Sequence, residues 1–330
     1  PKPRLSRRLF RKVTGAAEKV NDAVRSKNNV AHHYDIGNDF YALMLDDEHW
    51  QYSCAYWPSD DMTLAEAQRA KLAHIAAKLM LRDGDTVLDI GCGWGGMAIY
   101  LAQNYSVKVT GITLSEEQHQ LARERVEKAG VADNVSIELV DYRDFAAAGR
   151  KFDRIVSVGM FEHVGQPQFE EFFRCCANLL TDDGTMLVHT IGRMGSPGST
   201  DAFTRKYIFP GGYIPALSET VAASEKSRLI ATDVETLRLH YGISRLPGDC
   251  PGRGAAAEQL SAALARDGWT LLNVVGLTAH PPTAHPVGNY RKSVFFVRQG
   301  STWCATGATP NPSRDVFVLP STSKFSHPPI

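Results

Sequence analysis

The sequence has no apolar run approaching the ~20 residues that span a bilayer, and no signal-peptide pattern. A transmembrane or secreted chain is therefore not expected. Its six cysteines are scattered without C-x-x-C spacing, which argues against a zinc site or a disulfide framework and for a reduced, cytoplasmic protein. Net charge is absent as well, with 36 Lys and Arg against 36 Asp and Glu. No Met opens the chain, and Pro1 in its place reads as a fragment or a processed form. What is present is 330 residues at 43% hydrophobic content, enough for one large domain or one domain with appendages.

The zero balance hides an asymmetry. Residues 1–28 hold Lys2, Arg4, Arg7, Arg8, Arg11, Lys12, Lys19, Arg25 and Lys27 against Glu18 and Asp22, nine minus two or +7, so the remainder carries −7. Leu5, Leu9, Phe10, Val13, Ala16, Ala17 and Val20 recur between them at helical spacing. A basic amphipathic helix suits an anionic surface, lipid or nucleic acid; a solvated leader helix is the plainer alternative.

The densest chemical signal is Thr86-Val-Leu-Asp-Ile-Gly-Cys-Gly-Trp-Gly-Gly96, followed by Met97-Ala-Ile-Tyr-Leu-Ala102. It reads as strand, tight turn and helix start, with glycines letting a ligand approach the backbone. Gly91, Gly93 and Gly96 satisfy G-x-G-x-x-G, a pattern that is weak alone. Asp89 can reach an amino group or a water beside a ligand. The next strand, 107–113, ends in hydroxyl residues rather than the lone acid that holds an NAD ribose.

Upstream, Asn29-Val-Ala-His-His-Tyr-Asp-Ile-Gly-Asn-Asp-Phe-Tyr41 and Gln51-Tyr-Ser-Cys-Ala-Tyr-Trp57 concentrate aromatic and small polar residues, as in a lid over a ligand or a satellite apolar cluster. A helix is predicted from Thr63 to Leu81, with a Thr63–Glu66 capping box and Gly84 closing it. Further strands are expected at 107–113, 135–140, 152–159 and 184–191, with helices behind Ser115 and at 170–180. Such alternation predicts an α/β fold with a doubly wound, mostly parallel sheet, and ligands at the carboxyl ends of its strands. Glu162, His163 and His189 fall at those ends. Residues 192–231 read as an irregular, greasy insertion.

The motifs HHYDIGNDFY, YSCAYW, LDIGCGWGG, GITLSEEQ, VGMFEHVG, HTIG, YIFPGGYIP and LRLHY, in that order, resemble the cyclopropane-fatty-acyl-phospholipid synthase and mycolic acid cyclopropane synthase family. The resemblance implies a class I, S-adenosylmethionine-dependent methyltransferase with a Rossmann-like fold over 29–241, a lid at 29–62 and a substrate insertion at 192–231. It implies that an acyl-chain alkene takes the cofactor's methyl group, and that bound bicarbonate removes a proton as a cyclopropane ring closes. By motif, the bicarbonate cradle falls on Cys54, Glu162, His189, the backbone at Ile191, and Tyr241. The cofactor contacts fall on Tyr52, Ser53, Val87, Leu88, Asp89, Ile90, Gly91, Cys92, Gly93, Trp94, Gly95, Thr113, Leu114, Ser115, Glu116, Glu117, Gln118, Tyr142 and Arg143. No metal site is expected. The expected partners are unsaturated phospholipid acyl chains and an anionic membrane surface touched peripherally by a cytoplasmic protein. A homodimer is also expected; nucleic acid is not.

After Tyr241 the resemblance stops. Ten of the 17 prolines lie beyond it, the family's T-L-x-x-W signature is missing, and Cys250 has no matching context. A helix at 255–266, a strand at 294–298 and disorder from about 300 are expected in this divergent segment. Its abrupt onset reads as a frame error or a divergent splice. Three readings stand: ring-forming lipid modification, methylation on the same scaffold without ring closure, and an inactive product.

Overall fold

The computed structural model describes residues 38–42, 45–59, 61–193, 195–200, 211–237, 240, 241, 244, 270–274, 292 and 293. For 39, 40, 270–274, 292 and 293 it describes the backbone alone. The basic leader, the start of the lid, residues 201–210, and the helix, strand and disorder expected at 255–266, 294–298 and beyond 300 lie outside these residues.

The chain alternates as expected. After a short helix α1 (Asn38–Ala42) come α2 (Leu64–Leu79), β1 (Thr86–Ile90), α3 (Gly96–Asn104), β2 (Lys108–Thr113), α4 (Glu116–Lys128), β3 (Val135–Leu139), α5 (Tyr142–Ala147), β4 (Phe152–Val158), α6 (Phe169–Leu179) and β5 (Leu180–Gly192). The further elements are α7 (Leu217–Lys226), β6 (Leu229–Ile230), β7 (Val234–Glu235), β8 (Thr270–Val274) and β9 (Lys292–Ser293). The main sheet runs β3-β2-β1-β4-β5-β8-β7. The first five strands are parallel, with Asp89 beside Gly111 on one side and Val156 on the other. β8 runs antiparallel to β5, and the edge strand β7 runs antiparallel to β8. The chain winds outward from β1 to β3 and then returns to β4 on the other side of β1. That reversal opens a crevice at the carboxyl ends of β1 and β4, where such sheets bind ligands.

Both faces of the sheet are covered, so its strands are apolar on both sides. Leu88, Ile90, Ile155, Met186 and Val188 enter one core with Phe169, Phe172, Phe173, Cys176 and Leu179, an i, i+3, i+4, i+7 stripe on α6. Their strand neighbours Val87, Val156 and Leu187 enter the other core, with Leu72, Ile75 and Leu79 of α2 and Met97 and Leu101 of α3.

Four expectations change. The capping box on α2 is present, but the helix ends at Met80 in a left-handed conformation (φ 50°), not at Gly84. Gly84 sits four residues on in the turn to β1, with its own positive φ of 86°. The fifth strand starts at Leu180 rather than 184, so His189 lies inside it, opposite Val158 and Asn273. The insertion at 192–231 contains helix α7, whose Glu219 carboxylate accepts from the Ala216 N–H at 3.0 Å. Finally, the backbone of 270–274, read as part of a divergent tail, forms a strand of the main sheet.

Candidate active site

The glycine turn after β1 folds as its composition dictates. Gly91, Gly93 and Gly95 take φ of 78°, 55° and 79°, values that a side chain disfavours. At Gly91 a Cβ would also lie 2.6 Å from Met160 Cγ. The turn forms one wall of a cavity enclosing about 1020 Å³ of non-atom space, part of it open to solvent. Thirteen of the nineteen expected cofactor residues line it: Tyr52, Ser53, Asp89, Ile90, Gly91, Cys92, Gly93, Trp94, Thr113, Leu114, Gln118, Tyr142 and Arg143.

The other six do not line it. Val87 and Leu88 are buried in the two cores. Gly95 is the residue before α3 and brings the turn against Ala122, 3.3 Å from where its Cβ would be. Ser115 caps α4, accepting from the Gln118 N–H at 3.2 Å, and Glu116 and Glu117 begin that helix. Trp50, Asp141 and Met160, which were not expected as cofactor contacts, also line the cavity, as does Gln51 of the expected lid stretch. Asp141 is fixed by Arg143, whose Nε and Nη2 donate to its two oxygens at 2.7 Å each.

The roof is aromatic. Trp94 packs 4.9 Å from Tyr41 and 5.9 Å from Trp50 between ring centroids, and its indole N–H donates to Asn38 Oδ1 at 2.8 Å. Beneath lies Asp89, buried, with Oδ2 unpartnered among the described residues. Burial pushes its carboxyl up to about 7, against the opposing pull of the Lys71 ammonium.

None of the five expected cradle residues lines this cavity. Four of them are linked to one another beside it, and the fifth, His189, lies two residues before Ile191 on β5. Cys54, Leu237, Tyr56, Ile191 and Tyr241 form one cluster. Glu162 accepts from the Ile191 N–H at 2.6 Å through Oε1, while its Oε2 and both His189 ring nitrogens are buried with no partner among the described residues. The Ile191 N–H is therefore already engaged by Glu162 rather than open to an anion. The two places adjoin: Ser53 lines the cavity and Cys54 is its neighbour, and Gly159 of the cavity wall donates to the His189 carbonyl at 2.9 Å.

Burial dominates the chemistry here. It raises Glu162 to about 7, partly offset by the Ile191 N–H, lowers His189 to about 3, aided by Lys71, and raises Cys54 to about 12. At neutral pH His189 is an uncharged, weakly basic ring and Cys54 a neutral thiol. The segment carrying Tyr241 is tied down from the other side. Tyr56 stacks on His74 at 4.3 Å and on His240 at 4.9 Å. Ser244 Oγ accepts from the Ala55 N–H and the Trp57 indole N–H at 3.0 Å each and donates to the His240 carbonyl at 2.7 Å.

Residues 21–244 match the model of the mycolic acid cyclopropane synthetase family. The chain belongs to that family. The match ends three residues after Tyr241, at the serine that pins Ala55 and Trp57. Among relatives, it is 44% identical over 218 residues to a Pseudomonas putida protein named "Probable fatty acid methyltransferase", covering 64% of this chain and 55% of that one. It is 48% identical over 193 residues to the cyclopropane-fatty-acyl-phospholipid synthase of Escherichia coli (strain K12), covering 58% and 48%. The chain thus spans about half the length of these two relatives. Among solved structures it is similar to the mycolic acid cyclopropane synthase CmaA1 complexed with SAH and CTAB. There the TM-score is 0.65 at 32% identity, over 76% of this chain and 97% of that one.

Proposed function

We propose that the chain binds S-adenosylmethionine in the cavity and transfers its methyl carbon to the cis double bond of an unsaturated phospholipid acyl chain, closing a cyclopropane ring. Cys54, Glu162, His189 and Tyr241 hold bicarbonate as the base, and the Ile191 N–H fixes the Glu162 carboxylate from its other oxygen. The observation that carries this reading is that Glu162 Oε2 and the two His189 nitrogens are buried without a partner among the described residues. Polar atoms are rarely buried unsatisfied, because desolvation costs about 1–3 kcal/mol per group. A small polar ligand would relieve Glu162 Oε2 and one of the two His189 nitrogens. Bicarbonate fits the set: it brings an O–H that Glu162 can accept and oxygens to which a neutral His189 N–H can donate. The related structure's SAH and the orphaned Asp89 Oδ2 support an ammonium-bearing ligand in the cavity.

When bound, the cofactor would supply an electrophilic methyl group, and bicarbonate a base too weakly nucleophilic to consume it. The protein's own contribution is selection and placement. Asp89 would hold the cofactor's amino group, and the rings of Trp94, Tyr52 and Tyr142, which line the same cavity, would favour positive charge there. His189 and Cys54, both uncharged, make poor bases at neutral pH. Glu162, raised to about 7, is the one side chain of the set that competes for the proton.

Methylation without ring closure is the second reading, favoured by the fatty acid methyltransferase relative. The basic stretch 1–28 would hold the chain peripherally at an anionic membrane.

The test is label transfer from methyl-labelled S-adenosylmethionine to phospholipid vesicles. Label should enter the acyl chains of unsaturated, not saturated, lipid. Label in head groups, or in neither lipid, would overturn the proposal.

A further inference from the structure

One ionisable group near the site belongs to neither the cofactor set nor the cradle. Lys71, on α2, is 1% exposed, among the largest fully buried side chains of the described residues. Its position is in phase with the apolar stripe of α2 (Leu72, Ile75, Leu79), where the pattern calls for an aliphatic residue. A charge is rarely buried without a purpose that repays its desolvation.

The Lys71 ammonium is aimed at the cavity wall. It donates to Gln51 Oε1 at 2.6 Å and to Ser53 Oγ at 2.7 Å, two residues that line the cavity. One helical turn earlier, Gln68 Nε2 donates to the carbonyls of Gln51 and Ser53 at 3.3 and 3.0 Å. These bonds account for the polar partners the structure gives Lys71, and neither is a carboxylate. No salt bridge to Lys71 occurs among the described residues. Burial lowers the Lys71 amine to about 7, and three groups oppose that loss of charge: Asp46, itself engaged by the N–H groups of His49 and Gln51, then the Cys54 thiol, and Asp89 on β1. Lys71 in turn acts on the His49 and His189 rings. Of the two carboxylates, Asp46 has its oxygens occupied, and Asp89 has Oδ2 free.

We propose that Lys71 is a positioning residue for the amino-acid end of the cofactor: it clamps the Gln51–Ser53 wall from behind and supplies the buried positive charge that keeps Asp89 an anion for the ligand's ammonium. This rests on the cavity being the cofactor site. Asp89 sits where desolvation favours its neutral form, and a neutral carboxyl is a poor partner for an ammonium. Lys71 is the cation that opposes this. Its own bonds to neutral oxygens leave the Asp89 carboxylate available.

The experiment compares two ligands on the full chain. S-adenosylhomocysteine carries the amino-acid ammonium; 5′-methylthioadenosine has the same nucleoside thioether and lacks it. In Lys71→Met, S-adenosylhomocysteine should weaken by up to about tenfold by calorimetry, the equivalent of about one pKa unit at Asp89, while methylthioadenosine changes little. The pH midpoint of S-adenosylhomocysteine binding should move up, because Asp89 would need a higher pH to ionise. Lys71→Arg, which keeps charge and donors, should restore part of the affinity. Should Lys71→Met fail to fold, Lys71→Gln, neutral but able to donate to the wall, should show the same ligand selectivity and the same upward shift. Equal losses for both ligands, or an unmoved pH midpoint in the neutral variants, would overturn the inference. Failure of the unmodified chain to bind either ligand would instead remove the cofactor assignment, and this inference with it.

Discussion

Gly96→Ala is a small change with a large expected consequence. Gly96 opens α3, where alanine would ordinarily be the better helix former by about 1 kcal/mol. A Cβ there, however, would lie 1.9 Å from the backbone carbonyl oxygen of His49 and 2.5 Å from Gln51 Nε2, roughly 1 Å or more inside van der Waals contact. No rotamer change relieves a clash with a main-chain oxygen. The strand of chain at 46–51 must move, and it is well anchored. Asp46 accepts from His49 and Gln51 N–H groups, Lys71 and Gln68 hold Gln51, and Arg125 Nη2 donates to the Glu48 carbonyl at 2.9 Å. Overpacking together with one or two weakened hydrogen bonds gives about 2–4 kcal/mol of destabilisation. That corresponds to a melting temperature lower by about 5–15 °C for a domain of this size. Because 50–53 is a cavity wall, S-adenosylhomocysteine affinity should fall with it. Gly130→Ala is the control: its φ is 69°, but nothing lies within 4 Å of the added Cβ. It should cost only the backbone preference, about 1–2 kcal/mol, and leave binding intact. Thermal melts and calorimetry on both variants decide. If Gly96→Ala melts no lower than Gly130→Ala and binds normally, the packing of the lid segment on the glycine turn is misjudged.

Three further expectations follow from the site and the leader. Glu162→Gln keeps the shape but not the charge, so it should bind cofactor normally and turn over about 10²–10⁴-fold more slowly; rigorous carbonate depletion of the parent should mimic it, and full activity in depleted buffer would shift the base to Glu162 itself. His189 is buried neutral, with its folded value at about 3 against 6.5 when unfolded, so the unfolded chain takes up its proton first. Its contribution to stability is present above pH 6.5 and lost as pH falls toward 3, and His189→Gln should flatten denaturant-measured stability across that window; an unchanged slope would contradict the assignment. Binding to anionic vesicles through residues 1–28 should weaken as salt is added, the attraction being screened over ~8–10 Å at physiological ionic strength, and equal binding to neutral vesicles would exclude it.

The parallel core was legible because each of its strands is a short apolar run between turn signals, and helices fall between them. The glycine turn was legible because positive φ at Gly91, Gly93 and Gly95 admits few other residues. Met80 was not, since it closes α2 in a conformation that its side chain gives no hint of. Helix α7 lay inside a stretch whose prolines and glycines spoke for loop. Strand β8 has its partners far away in sequence, and nothing local announces an antiparallel edge. For the site, single residues were readable and relations were not. Glu162 and the Ile191 N–H are 29 positions apart, and their bond appears only once β5 lies beside β4. Lys71 left one trace in the sequence, a charge in phase with an apolar stripe, and that trace looks the same as a solvated helix face until the helix is docked.

The central claim is a methyl carbon delivered to an alkene and deprotonated as a ring closes. It is tested most directly with S-adenosylmethionine whose methyl group is fully deuterated, unsaturated phospholipid vesicles and mass spectrometry of the recovered acyl chains. Ring closure expels one deuterium to the base, so the product should carry a CD2 bridge and no remaining double bond. Acyl chains that gain an intact CD3 group would contradict ring closure and establish simple methylation; acyl chains without deuterium would contradict the lipid assignment altogether.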